Sequence, residues 1–196
     1  AYLAIKGAIS SGAGFVSAIL PDLVANSIWQ VEPEVVIAGR LFSDSNGNSI
    51  LFDALKNLDF SSYDSIVIGP GIGLDKNDWE KSTEYLLDIK GLLILDADAL
   101  NRISKSNLGS KFFLERKAET WITPHYQEFI RLFPEIVETN RVEQALKAAK
   151  EFNISILLKG ANSVIANNEM AWQIFGTDSD TARAGLGDLL SGFIGG

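Results

Sequence analysis

The chain has 196 residues, and its 17 Lys and Arg against 25 Asp and Glu give a net charge of −8, which opposes nonspecific attachment to nucleic acid or anionic membranes. Its cysteine count of 0 excludes a disulfide framework, a thiolate zinc site and a catalytic thiol, and the single histidine, His125, leaves no histidine-rich metal cluster. The length and the 46% apolar content suit one globular domain with a sizeable core, and no apolar run reaches the ~18–20 residues of a membrane span.

No basic segment leads into an apolar stretch with a cleavage site, so the expected compartment is the cytoplasm. Ala1 to Ser11 reads as a helix, with Leu3, Ile5, Ala8 and Ile9 among small residues, and it ends at Gly12-Ala13-Gly14. The chain thus opens as if in mid-domain. A strand is expected from Phe15 to Leu20, stopped by Pro21-Asp22, and further buried strands at Val35 to Ala38, Ser65 to Ile68, Leu92 to Leu95 and Ile154 to Leu158. Helical spacing lies between them at Trp79 to Ile89 and Val142 to Phe152. Apolar strands alternating with helices predict an α/β domain whose mostly parallel sheet is covered on both faces. Ser163 to Ala166 and Met170 to Phe175 then predict a late antiparallel hairpin at the edge, turning tightly on Asn167-Asn168. The last helix, from Gly187, ends at Gly195-Gly196 with little to pack against.

Ligands of open α/β sheets sit outside the carboxyl ends of the strands, which directs attention to the segments that follow each one. Gly69-Pro70-Gly71-Ile72-Gly73 is either a close-approach loop or a plain tight turn; its spacing is not the dinucleotide fingerprint. Asp96-Ala97-Asp98-Ala99-Leu100-Asn101 puts two carboxylates at a strand end, where they suit magnesium or a polar substrate group, or where Asp98 caps a helix. In Thr123-Pro124-His125-Tyr126-Gln127-Glu128 the histidine beside a proline bend is either structural or functional. Lys159-Gly160-Ala161-Asn162-Ser163 joins a cation and a glycine to small polar residues, a group suited to phosphate and otherwise a solvated lysine turn. Thr181 to Gly192 leads glycines into a helix start, whose unpaired amides and positive dipole end suit an oxyanion. Asp188 falls in the first turn of that helix, where N-terminal capping is its alternative role.

These five segments, in this order, resemble the ribokinase-like superfamily and, within it, the ADP- or ATP-dependent NAD(P)H-hydrate dehydratases. The Asp-Ala-Asp-Ala-Leu-Asn run at Asp96 to Asn101 and the Thr-Pro-His-x-x-Glu run at Thr123 to Glu128 resemble that branch in particular, and Ser11 to Val16 is similar to its early helix-to-strand turn. Tyr126-Gln127 departs from the Pro-Gly usual after the family's histidine, and the family's amino-terminal strand and glycine-rich segment do not precede Ala1.

The resemblance implies a ribokinase-like three-layer α/β/α domain over residues 1–196, truncated at both ends. It also implies repair of hydrated NADH or NADPH (NADHX, NADPHX), in which ADP, or less expectedly ATP, with Mg²⁺ phosphorylates the ring hydroxyl and phosphate is then eliminated. Asp188 is then the catalytic base, and Gly185, Leu186 and Gly187 form the anion hole. Lys159, Gly160, Ala161, Asn162, Ser163 and Gly187 meet the nucleotide, while Gly71, Gly73, Asp98, Asn101, His125, Glu128 and Asp188 meet the substrate. A homo-oligomer without nucleic-acid or membrane partners is expected. The competing readings are a ribokinase-like kinase of a small alcohol, of the hydroxyethylthiazole or hydroxymethylpyrimidine type, and a nucleotide-binding module without turnover.

Overall fold

A computed structural model describes residues 1–175 and 183–196. Six strands form the main sheet: β3 (Ser65–Ile68), β4 (Leu92–Leu95), β5 (Thr120–Ile122) and β6 (Ser155–Leu158) run parallel, and β7 (Val164–Ala166) and β8 (Ala171–Gln173) follow antiparallel. The earlier strands β1 (Ser17–Pro21) and β2 (Val36–Leu41) pair in parallel as a separate two-stranded sheet, so the first expected strand starts two residues later than its apolar run. Their side chains join a small core of their own with Ile5 and Ile28.

Alternation along the parallel strands sorts side chains between two faces. Ile68, Leu93, Leu95, Ile122, Ile156 and Leu158 enter the larger core. Against them pack α3 (Leu51–Asn57), α4 (Lys76–Asp88), α5 (Asp98–Lys105), α6 (Lys111–Glu115), α7 (Tyr126–Leu132) and α8 (Arg141–Phe152). Phe129, Phe133 and Phe152 stack through that core with centroids 5.1 and 4.8 Å apart. Val67 and Ile94 point the other way, toward Gly195 of α9 (Leu186–Gly195). Helices thus cover both faces, giving the expected α/β/α layering.

Two of the expectations need correction. The final helix does have a partner, because α1 (Tyr2–Ser10) lies along α9 through a seam of glycines. A Cβ on Gly7 would overlap the Leu189 carbonyl, and one on Gly192 would overlap the Ala4 carbonyl, so only glycine permits this approach. The hairpin turn spans Asn167–Met170 rather than an Asn-Asn pair, because the Asn167 side chain accepts the amides of both Glu169 and Met170. No helix among the described residues is long and apolar enough to cross a membrane.

A buried polar hub locks the loops at the carboxyl ends. Arg102 of α5, 0% exposed, donates to Asp78 Oδ2 at 2.8 Å and to the carbonyls of Ser49, Ile72 and Gly73. Asp78 in turn accepts the Leu51 and Phe52 amides and thereby satisfies the start of α3. Replacing Arg102 by Met removes the cation that faces the buried Asp78 carboxylate and a donor shared by three carbonyls. We expect Arg102→Met to destabilise the fold by about 3–5 kcal/mol, read as a lowered denaturant midpoint; an unchanged midpoint would rule out this role for the hub.

Candidate functional site

Parallel register brings the post-strand segments side by side. Ile68, Leu95 and Ile122 are consecutive partners across β3, β4 and β5. The chain continues the ladder beyond them, with Asp96 donating its amide to the Ile68 carbonyl, Thr123 to Leu95, and Lys159 to Pro124. His125 and Lys159 form an isolated parallel bridge. Sequence-distant segments thereby form one stair at the carboxyl edge of the sheet.

The stair is built around Asp96 and Lys159. Asp96 is 1% exposed, and its Oδ1 accepts both the Ala97 amide at 2.8 Å and the Lys159 ammonium at 2.7 Å. A buried carboxylate requires such partners, so Lys159 is a committed cation and not the solvated lysine that the sequence left open. Gly187 closes over this pair: a Cβ there would stand 3.2 Å from Lys159 Nζ and 3.9 Å from Asp96 Oδ2. The glycine-rich helix start and the Lys-Gly strand end are therefore adjacent.

At that helix start Gly185 is the N-cap, with φ +82°, and makes no side-chain cap bond. The Leu186 amide donates to the Arg183 carbonyl at 3.3 Å, so it differs from the open donor expected for the anion hole. Among the described residues the amides of Gly187 and Asp188 meet no acceptor, and it is these that remain open for an oxyanion. Half-buried Asp188 does not cap the helix, and its carboxylate has no hydrogen-bond partner among the described residues. Thr181 and Ala182, which lead the same segment, lie outside the described residues.

The glycine loop after β3 is held from beneath. A Cβ on Gly69 would overlap the Asp96 carbonyl, and φ is +140° there, so this residue requires glycine on two counts. Gly71, with φ +74°, faces open space. Gly73 donates its amide to Asp98 Oδ2 at 2.9 Å, which gives Asp98 a loop-fastening role instead of the helix-capping alternative. Asn48 also reaches this loop, accepting the Leu74 amide at 2.8 Å, and its own side chain donates to Asp44. Hydrogen bonds from Asn48 hold the Asp44 carboxyl below its ordinary range.

Between the two acids, Ala97 has φ +47° and ψ −117°, a strained conformation for a residue with a Cβ, at about 1–3 kcal/mol. Its amide is tied to Asp96 and its carbonyl accepts Asn101 Nδ2 at 3.1 Å. Asn101 thus supports the turn.

His125 begins α7 in a reciprocal capping box. Its Nδ1 accepts the Gln127 and Glu128 amides at 3.1 and 3.4 Å, while Glu128 Oε2 accepts the His125 amide at 2.8 Å. With Nδ1 accepting, the proton of the neutral tautomer sits on Nε2, which lies 3.4 Å from Glu128 Oε1, and the side chain is 51% exposed. Glu128 is 5% exposed and turned into this cap. Gly160 and Ser163 close a small turn, in which the serine hydroxyl donates to the Gly160 carbonyl at 3.0 Å; Ala161 and Asn162 are exposed at its tip.

Arg102, Asp78 and Asn48 went unmarked in the sequence reading. The available signal was Arg102 itself, a cation three residues after Ala99 and next to Ile103, on the apolar side of its helix. No group of three or more His, Cys, Asp or Glu among the described residues is arranged to hold a metal. A concavity of about 680 Å³ lies at the opposite, amino end of the strands, lined by Tyr85, Ile89, Lys90, Glu115 and Lys117 among others, away from these groups.

The family model described as NAD(P)H-hydrate dehydratase matches residues 1–196. A bifunctional NAD(P)H-hydrate repair enzyme Nnr from Synechocystis is 36% identical over 197 residues, covering 100% of this chain and 36% of its own length. The chain thus spans about a third of that relative. An ADP/ATP-dependent NAD(P)H-hydrate dehydratase from Bacillus subtilis, co-crystallized with ATP/Mg2+, superposes with a TM-score of 0.76 at 26% identity, covering 100% of this chain and 66% of that one. A ribokinase-like superfamily protein from Enterococcus faecalis shares the fold with a TM-score of 0.73 at 24% identity, covering 99% of this chain and 64% of that one. The chain belongs to the NAD(P)H-hydrate dehydratase family.

Proposed function

We propose that this crevice carries out the nucleotide-dependent dehydration of hydrated NADH or NADPH, with ADP as the expected phosphoryl donor and ATP as the alternative. The observation that carries the reading is the adjacency of Gly187, at a helix start with open amides, to the Lys159–Asp96 pair. Phosphoryl transfer needs positioning and charge stabilisation more than covalent chemistry from the protein. The open amides of Gly187 and Asp188 and the positive end of the α9 dipole supply the stabilisation for the moving phosphoryl group.

Asp188, free of hydrogen-bond partners among the described residues, orients the ring hydroxyl and takes its proton as the oxygen attacks phosphorus. The new oxygen–phosphorus bond forms as the bond to the nucleoside phosphate leaving group breaks. The lone pair of the ring nitrogen then expels phosphate and regenerates the reduced cofactor. The exposed edge of His125 and the open side of Gly71 are the substrate contacts, while Asp98, Asn101 and Glu128 support them by fixing the Gly73 loop, the Ala97 turn and the α7 cap.

Mg²⁺ carried by a nucleotide needs only one or two protein carboxylates, its other ligands being phosphate oxygens and water. Such an ion needs no dedicated acid cage, and none stands among the described residues. When bound, the ion neutralises phosphate charge.

Two variants test the assignment in the full chain. Asp188→Asn should lower turnover about 10²–10⁴-fold, followed as reappearance of reduced-nicotinamide absorbance and release of phosphate, while ADP binding is retained; full turnover would remove the base. His125→Asn keeps a good helix cap and so should leave the melting temperature nearly unchanged, yet raise KM for the hydrated cofactor about tenfold through a lost contact. An unchanged KM would leave His125 with its capping role alone.

A further inference from the structure

Lys159 cannot serve as an uncompensated cation for phosphate, because its ammonium is matched at 2.7 Å by a buried carboxylate. Another cation stands beside it. Arg141, the first residue of α8, lays its guanidinium over the ring of Tyr126, 4.5 Å from guanidinium carbon to ring centroid. Its outer edge rests against the strand-end turn, where a Cβ on Gly160 would lie 2.7 Å from one terminal nitrogen. Two segments flanking the crevice, the start of α7 and the Lys-Gly turn, therefore hold this one group.

Its electrostatic situation is unusual for an acidic chain. Arg141 is exposed, and among the described residues it pairs with no carboxylate, although the chain carries 25 acidic residues. It also sits at the amino end of a 12-residue helix, where the dipole disfavours a positive charge. Stacking on Tyr126 fixes the plane of the guanidinium without consuming its donors, leaving a preorganised fork suited to two phosphate oxygens.

We propose that Arg141, set by Tyr126 and Gly160, is a phosphate-binding residue of this crevice and takes a phosphate of the nucleotide donor. The inference rests on the nucleotide reading of the site, and it names a residue outside the Lys159 to Ser163 turn. It also gives a role to Tyr126, which stands where the related motif has proline: an aromatic ring there turns a surface arginine into an oriented one.

Equilibrium titration of the full chain with ADP, ATP, adenosine and NADPH, for wild type and variants, tests this. Arg141→Met should weaken ADP about tenfold or more, the loss expected for a charge-assisted contact, and leave adenosine unchanged. Arg141→Lys should recover only part of the loss, since an ammonium neither stacks nor forks, and Tyr126→Ala should weaken ADP in the same direction. The two Arg141 variants should melt near wild type, because the guanidinium is exposed. ADP affinity within about twofold of wild type in Arg141→Met would overturn the proposal, as would a loss confined to NADPH, which would move the contact to the dinucleotide. Wild type that bound neither ADP nor ATP would sink the nucleotide reading as well, a result distinct from a variant that binds like wild type.

Discussion

The Asp96 carboxylate is almost wholly removed from water at the end of β4, and the crevice is organised around the groups that partner it. Its partners are the Ala97 amide, from a strained turn, and the Lys159 ammonium, from the far end of β6. An isolated buried carboxylate is prohibitively unfavourable, so this pair obliges β4 and β6 to present their ends at one place. Gly187 can then settle on the pair because it has no side chain to displace it. The same contact explains why the lysine of the Lys-Gly turn contributes little net positive charge. That charge is supplied instead by amides, by a helix dipole and by Arg141.

Behind this ion pair, a second buried cation makes the neighbouring loops rigid. Arg102 draws together carbonyls at residues 49, 72 and 73 and the carboxylate of Asp78, which are far apart in sequence. The glycine loop after β3 has several residues at positive φ and would be loose if left to itself. Arg102 and Asp98 bind it from one side and Asn48 from another, so that the open face of Gly71 has a defined place. A second buried arginine, Arg116, does similar work at the amino end of the sheet, where it donates to the Leu86, Ile89 and Gly91 carbonyls; burial lowers its pKa to about 10.

The proposed oxyanion site depends on the placement of α9, which is a matter of backbone shape. Glycines at 7 and 192 let α1 and α9 touch through their main chains, and Gly195 lets α9 approach Val67 and Ile94 of the sheet. Close packing fixes the axis of α9 and hence the direction in which its first amides point. Apolar bulk at these positions would separate the layers and withdraw the amides of Gly187 and Asp188 from the Lys159–Asp96 pair.

Much of this was legible in the order of residues. The parallel strands β3, β4 and β6, the helices α4 and α8 and the late hairpin follow from apolar runs and helical spacing, whose periods depend on local geometry alone. The five segments after strands were legible too, because glycine, proline and paired polar residues mark turns wherever they occur. What tertiary structure decided was the partner of each polar group. Local pattern left Asp98 and Asp188 as helix caps or functional groups and Lys159 as solvated or bound, and it gave no reason to join Arg102 to Asp78 or Arg141 to Tyr126 and Gly160. Arg141 and Tyr126 are separated by 15 residues of chain, and Lys159 and Asp96 by 63. These pairings exist because strand register and helix packing bring the groups within reach, and no local periodicity encodes such a distance.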